Sequence, residues 1–163
     1  MIAAKGSGVD GENFQQTRPF RPEVFFLGRT EGWGVTRGPT GRVQRRCRII
    51  TEGRLEEAYQ AIHFEEVFTW HDGERDEWRW AMTRGLNGDY VAAESQAGVG
   101  IQGRYDGEDY LLSFRRALKP GGPRPRFTTR FTPISADVAL KTVRITVLGL
   151  PLASMSAFHR RAD

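Results

Sequence analysis

The chain has 163 residues, of which 39% are hydrophobic and 27% charged, a size and composition that suit one globular domain with its own buried core. Its net charge is +4, yet acidic blocks interrupt the arginine clusters and no RNP, KH or helix-turn-helix pattern is present, which argues against a nucleic-acid partner. No apolar run approaches the roughly 20 residues of a membrane-spanning helix.

Two features of the sequence bear on its compartment. Cys47 is the only cysteine, so no internal disulfide can form, and a lone cysteine in a strand is most often a small buried hydrophobe. A chain without disulfides suits a reducing compartment. The start, Met-Ile-Ala-Ala-Lys-Gly-Ser-Gly, lacks the apolar segment of a secretory signal. We therefore expect a cytoplasmic protein.

The N-terminal part of the chain divides into a tail and the beginning of a domain. Residues 1–17 are Gly-rich, polar and aperiodic, and they predict a flexible tail before a single domain over residues 18–163. Pro22 can open a helical turn that Gly28 can end. We expect this turn to plug one end of the fold. Its candidate buried side chains are Val24, Phe25 and Leu27.

Trp33 lies at the centre of the first predicted strand. Gly32 and Gly34 flank it and leave room for close packing, a common use of glycine within strands. After a turn at Gly38–Gly41, residues 42–50 alternate between two faces and predict a second strand. The face expected to point inward holds Val43, Arg45, Cys47 and Ile49.

The most regular alternation lies in residues 58–83, which predict a hairpin with its loop at Asp72–Glu74. The apolar faces of its two arms hold Ile62, Phe64, Glu66, Phe68 and Trp70, and Trp78, Trp80 and Met82, respectively. A two-residue loop would turn these faces away from each other, so we expect an odd-length loop with a bulge. That register sets Phe68 opposite Trp78 and Glu66 opposite Trp80.

Short strands continue to the C-terminus, separated by turn residues at near-regular spacing. They are predicted within residues 90–105, 110–114, 127–131, 138–147 and 154–161. A Gly-rich run at 97–103 suits the sharp bending that a barrel corner needs. Nine or ten such strands with no long helix predict an all-β fold, an antiparallel meander β-barrel with a short N-terminal helical turn.

Several motifs together give a family resemblance. They are Phe26-Leu-Gly-Arg-Thr-Glu-Gly-Trp-Gly34, Gly41-Arg-Val-Gln-Arg-Arg46, Phe64-Glu-Glu-Val-Phe-Thr-Trp-His-Asp-Gly-Glu74, Trp78-Arg-Trp80 and Phe158-His-Arg-Arg161. From Phe25 to Arg161 the chain resembles the bacterial lipocalin-like family called domain of unknown function 3833. The resemblance implies a calycin-type barrel. It implies no established activity, so it supplies no catalytic residues.

Glu66 is a lone carboxylate on an otherwise apolar face, where burial is costly unless a partner is present. Setting Cys47 opposite Phe64 brings Arg45 opposite Glu66, so the odd charges of two neighbouring strands meet. This internal ion pair either fixes the strand register or anchors the polar end of a ligand.

Aromatic side chains on the inward faces form either an ordinary core or the wall of a ligand cavity, since small barrels can hold one ligand. The predicted ligand-binding residues are Arg45, Phe64, Glu66, Phe68, Trp78, Trp80 and Tyr105. A structural latch is also predicted, in which Trp33 on the first strand packs under Arg160 or Arg161 on the last.

The sequence predicts neither a metal site nor a catalytic group. His63, His71 and His159 do not share a face at metal-ligand spacing. We expect His159 to be a surface residue of the terminal strand, with a haem-ligand role as the alternative. No Ser-His-Asp arrangement, phosphate loop or nucleotide motif is present. Accordingly, no cofactor and no catalytic residue are predicted.

Three functions fit these observations. The first is a non-enzymatic barrel that binds a small apolar or amphipathic molecule. The second is a barrel enzyme, an isomerase or hydratase, that acts on a lipid-like substrate with Glu66 as its acid or base. The third is a filled barrel whose outer face binds another protein.

Overall fold

Ten antiparallel strands close into a barrel in a computed structural model that describes residues 18–162. Each strand pairs with the next along the chain, and the last pairs with the first, so the predicted meander barrel is confirmed. The strands are β1 Gly28–Arg37, β2 Val43–Glu56, β3 Ala61–Trp70, β4 Arg75–Arg84, β5 Tyr90–Glu94, β6 Gly98–Asp106, β7 Asp109–Arg115, β8 Arg126–Pro133, β9 Val138–Val147 and β10 Leu150–Arg161. A helical turn, α1, spans Pro22–Phe25, and a 3-10 turn spans Glu57–Tyr59.

The up-and-down order gives the barrel two different ends. The open end carries the loops at residues 38–42, 71–74, 95–97, 116–125 and 148–149. The plugged end carries residues 18–27 with α1, and the loops at 57–60, 85–89, 107–108 and 134–137. No helix in the described part of the chain is long and apolar enough to cross a membrane. The predicted tail, residues 1–17, lies outside the described residues, and the division into tail and domain stays a prediction.

Residues 20–27 plug one end of the barrel, as predicted. Phe20, Phe25 and Phe26 are buried there, and the Phe26 ring stacks on Phe64 with centroids 4.3 Å apart. Val24 and Leu27 were also expected to be buried, but both are exposed, because the four-residue turn directs Phe25 and Phe26 inward instead.

The β3–β4 hairpin confirms the odd-length loop but corrects its register. Both apolar faces point inward, yet Glu66 lies opposite Trp78 rather than Trp80, and Phe64 lies opposite Trp80. The loop begins one residue earlier than predicted, because the Gly73 N–H donates to the Trp70 carbonyl at 3.0 Å. Gly73 has φ +87°, a left-handed conformation that glycine adopts without strain.

β1 and β10 close the barrel, but the predicted latch between Trp33 and a C-terminal arginine is wrong. Trp33 pairs with Phe158, and Arg160 pairs with Glu31. Half of Trp33 is exposed on the outer wall. In the described part of the chain, the arginines that lie over indole rings are Arg45 and Arg116.

The plug generates a stability prediction. Phe26→Ala should lower the free energy of unfolding by about 3 to 5 kcal/mol, because it removes a fully buried ring that contacts Phe64 and Phe131. Leu27→Ala, at the exposed neighbour, should change it by about 0.5 kcal/mol or less. Chemical denaturation followed by far-UV circular dichroism measures both values. Equal losses in the two variants would show that the plug is not docked.

Candidate ligand-binding cavity

A cavity of about 340 Å³ runs from the open end into the barrel. This volume lies near the lower end of the roughly 300 to 1,000 Å³ typical of small-molecule sites. Six of the predicted ligand-binding residues line it: Arg45, Phe64, Glu66, Phe68, Trp78 and Trp80. Tyr105 lies elsewhere, towards the plugged end, where its hydroxyl donates to the Phe20 carbonyl at 2.8 Å.

Aromatic side chains from four strands contribute to the wall of the cavity. Trp78 meets Phe127 edge-on with centroids 5.5 Å apart, and Trp80 meets Phe114 in the same way at 5.2 Å. The alternation within β3 and β4 predicted their share of this wall. Phe114 and Phe127 belong to β7 and β8. Both strands were predicted, but their side chains were not assigned to the site.

A buried ion pair crosses the inside of the barrel near the inner end of this cavity. Lys141 Nζ on β9 donates to Glu66 Oε1 on β3 at 2.6 Å, and the Trp80 indole N–H donates to Glu66 Oε2 at 3.1 Å. Glu66 is 1% and Lys141 5% exposed. The Lys141 ammonium lies 5.5 Å from the ring centroids of both Phe68 and Phe131. Two unlike charges thus neutralise each other within an apolar wall.

The predicted pairing of Arg45 with Glu66 is wrong. Thr51 lies opposite Glu66, and Cys47 lies opposite Trp70 rather than Phe64. The register differs because β2 continues to Glu56, beyond the predicted strand end at residue 50, and the chain reverses only at Gln60, which has φ +49°. The buried position of Cys47 agrees with its prediction as a small hydrophobe.

Arg45 instead belongs to the rim of the cavity. Its guanidinium donates to Asp72 and Glu74 at 2.8 Å each and lies 4.2 Å from the Trp70 ring centroid. The hydrogen bond from Arg45 holds the pKa of the Asp72 carboxyl below its usual range. The rim therefore has a fixed cation on one side.

A second buried ion pair lies on the opposite side of the rim. Arg116 Nε donates to Glu94 at 3.2 Å, and its guanidinium lies 3.7 Å from the Trp78 ring centroid. Glu94 also accepts hydrogen bonds from the backbone N–H groups of Gln96 and Ala97. Arg116 lines the cavity, so it presents a charged group close to the indole of the wall.

Sequence reasoning missed Lys141, Glu94 and Arg116, although two of them carry a readable signal. Lys141 follows Ala139 and precedes Val143 on the inward face of β9, just as Glu66 interrupts the apolar face of β3. Glu94 ends a face that begins with Tyr90 and Ala92. A lone charge on an apolar face predicts a buried partner, and that rule applies to all three faces.

His159 is buried in the barrel wall, contrary to the predicted surface position. It is 1% exposed, and Gly32 leaves room for its ring, since a Cβ there would lie 3.1 Å from Nδ1. Neither ring nitrogen has a hydrogen-bond partner within the described residues. Burial, followed by the nearby Lys141 charge, lowers the pKa of His159 to about 3. The described residues contain no group of three His, Cys, Asp or Glu side chains that could hold a metal ion.

The sequence matches one protein family, and the fold resembles solved barrel structures. Residues 2–161 match the family described as "Protein of unknown function (DUF3833)", and no curated protein matches the sequence. The S-type phycobiliprotein lyase CPES from Guillardia theta is 8% identical, with a TM-score of 0.60 over 88% of this chain and 94% of that one. The redesigned barrel mFAP0, solved bound to DFHBI, is 9% identical with a TM-score of 0.47 over 84% and 99%, respectively. At 8% identity the likeness to the lyase shows the fold alone.

The crossing ion pair generates a stability prediction. Lys141→Met should cost roughly 3 to 5 kcal/mol, because it leaves the Glu66 carboxylate buried without a countercharge. Adding Glu66→Gln should recover much of the loss, since the amide oxygen can still accept from Trp80. Glu65→Gln, which breaks the exposed pair with Arg79 next to it, should cost about 1 kcal/mol or less. Urea denaturation of the parent, Lys141→Met, Glu66→Gln and the double variant completes the cycle, and additive losses would show that Glu66 and Lys141 act independently.

His159 generates a pH prediction. Between pH 6.5 and about 3 the unfolded chain binds a proton at this histidine and the folded chain does not. The free energy of unfolding is therefore highest above pH 6.5 and decreases as the pH is lowered below that value. His159→Leu removes this loss. The stability of the variant relative to the parent should therefore rise by up to about 1.4 kcal/mol per pH unit as the pH falls below 6.

Denaturation at several pH values measures that difference. The control is Leu27→Ala, which removes an exposed side chain without a titratable group and should leave the pH dependence of stability unchanged. A constant offset between His159→Leu and the parent across this range would show that His159 takes up its proton in the folded state.

Proposed function

This chain belongs to the DUF3833 family, whose function is unknown, and we propose that it is a non-enzymatic barrel that binds one small amphipathic molecule in its interior. The observation that carries the proposal is the cavity itself, with an apolar aromatic wall and a single buried ion pair near its inner end. Pockets that combine an apolar lining with a few convergent polar groups are typical of small-molecule sites.

Lys141 supplies the polar contact. An ammonium group has three hydrogens to donate, and Glu66 is its one hydrogen-bond acceptor within the described residues. The remaining donor capacity lies beside the cavity that Lys141 lines. An oxygen on a bound molecule would accept from it, while the rest of the molecule lay against Phe68, Trp78 and Phe127.

The charge of the pair favours a neutral head group. Lys141 and Glu66 neutralise each other, so a carboxylate beside them would add a second negative charge to a buried site, where an unpaired charge is costly. A hydroxyl, carbonyl or amide oxygen can accept from Lys141 without that cost. We therefore expect a single-chain alcohol to bind more tightly than the acid of the same length.

Neither alternative function has an observation in its favour. Both Glu66 oxygens already accept hydrogen bonds, from Lys141 and Trp80, so the enzyme alternative stays a prediction without support from the geometry. The filled-barrel alternative requires side chains to occupy the interior, whereas a cavity of about 340 Å³ is present.

A fluorescence titration tests the proposal. Trp78 and Trp80 line the cavity, so 1-dodecanol should quench or shift tryptophan emission in a saturable way, with dodecanoate weaker. Val143→Phe should abolish the change, because Val143 lies in the cavity wall and a ring there occupies its space. Thr142→Phe, on the opposite face of the same strand, should bind as the parent does.

Two results would contradict the proposal. One is emission that stays unchanged with both compounds up to their solubility limits. The other is equal binding by Val143→Phe and Thr142→Phe, which would place any bound molecule outside the barrel. Melting temperatures of the two variants ensure that a loss of binding is not a loss of fold.

A further inference from the structure

We propose that the open end of the barrel docks onto an anionic lipid bilayer, with the β9–β10 hairpin inserted among the lipids. The inference rests on the proposed ligand-binding function, because a bilayer is a source and a destination for an amphipathic molecule. Its evidence is separate from the cavity and comes from the charges and exposed leucines around the opening.

The open end is strongly basic. Residues 37–46, 115–126 and 144–153 contain no Asp or Glu. Their basic residues are Arg37, Arg42, Arg45, Arg46, Arg115, Arg116, Lys119, Arg124, Arg126 and Arg144. Within the described part of the chain, only Arg45 and Arg116 of this set form ion pairs. Acidic residues at this end are confined to the β3–β4 hairpin and to Glu94, which is buried against Arg116.

The plugged end has the opposite character. Each of its five segments carries at least one acidic residue, for example Glu23, Glu57, Asp89, Glu108 and Asp137. Acids here balance the arginines, three of which, Arg21, Arg84 and Arg130, form ion pairs. The net positive charge of the protein is thus concentrated around the cavity opening, where it attracts an anionic surface and orients the barrel towards it.

The β9–β10 hairpin projects apolar side chains from the same end. Leu148 is 94% and Leu150 72% exposed. Ile145 and Ala153 form the outermost pair of this hairpin that lines the cavity, and Val147 and Leu150 pair two residues further out, roughly 7 Å beyond at about 3.3 Å per residue. The tip therefore extends beyond the part of the hairpin that lines the cavity.

The turn itself breaks a local rule. Leu148 has φ +50° and Gly149 φ +81°, the combination of a type I′ turn, whose first position favours Asn, Asp or Gly. A leucine there is strained, and it also exposes an apolar side chain to water. Such violations occur where function requires them, and an apolar tip that enters a bilayer accounts for both.

The combination favours a bilayer over an acidic protein. Arginine and lysine around the opening suit either surface, but protruding leucines at a narrow tip bury their area best in a fluid hydrocarbon layer. Leu118, exposed at the rim beside Lys119, adds to the same surface. Docked this way, the cavity opens towards the lipids.

Vesicle co-sedimentation of the full chain tests the inference. We expect binding to vesicles of phosphatidylcholine mixed with phosphatidylglycerol, little binding to phosphatidylcholine alone, and weaker binding as salt rises. Leu148→Asn combined with Leu150→Thr should weaken binding on the order of tenfold. The melting temperature should hold or rise, because Asn suits the turn.

Charge reversal provides the second arm. Lys119→Glu combined with Arg126→Glu should weaken binding by about 25-fold or more, since each basic residue near an anionic membrane contributes about fivefold. The matched controls lie towards the plugged end. Leu86→Ser, at a fully exposed leucine, and Arg54→Glu combined with Arg104→Glu should bind as the parent does.

Three outcomes would overturn the inference: no sedimentation with anionic vesicles, loss of binding in the controls equal to that in the open-end variants, or dependence on the charges but not on the leucines. If binding depends on the charges alone and the protein also binds soluble poly-glutamate, the partner is an acidic protein instead. Val143→Phe should still sediment with vesicles. Failure of ligand binding with docking intact, or the reverse, therefore shows which of the two proposals is wrong.

Discussion

The ion pair between Glu66 and Lys141 is the interaction on which the interior of this barrel depends. Each residue places a charge on an apolar inward face, and each would be costly to bury alone. Because β3 and β9 lie in different parts of the wall, the pair joins them across the interior.

The two ends of the barrel differ in the side chains that they contain: one is filled by aromatic rings, and the other has a charged rim. Aromatic side chains of residues 20–27 fill the plugged end. Within the described part of the chain no such segment fills the open end, where Asp72 and Glu74 hold Arg45, and Glu94 holds Arg116. Fixed charges at the rim and a solid floor leave the space between them as the cavity.

Several positions that break local rules lie around the cavity and its opening. Lys141, Glu66 and Arg116 interrupt or border the apolar wall, and Leu148 occupies a strained, exposed turn at the open end. The plugged half has exceptions of its own, since the Tyr110 hydroxyl and both His159 ring nitrogens have no hydrogen-bond partner within the described residues. A fold shared with the phycobiliprotein lyase at 8% identity leaves such positions free to differ between proteins.

The sequence by itself determined the strands, their inward faces, the closure of first strand on last and the plugging turn, because alternation, glycine positions and Pro22 act over a few residues. It also identified most of the cavity wall in β3 and β4. Only the tertiary structure decided which charges meet. The β2–β3 register depends on how far β2 runs before Gln60 reverses the chain, and this length decides whether Arg45 or Thr51 faces Glu66. Lys141 lies 75 residues from Glu66 and reaches it only after the barrel closes, so no local pattern could assign the pair.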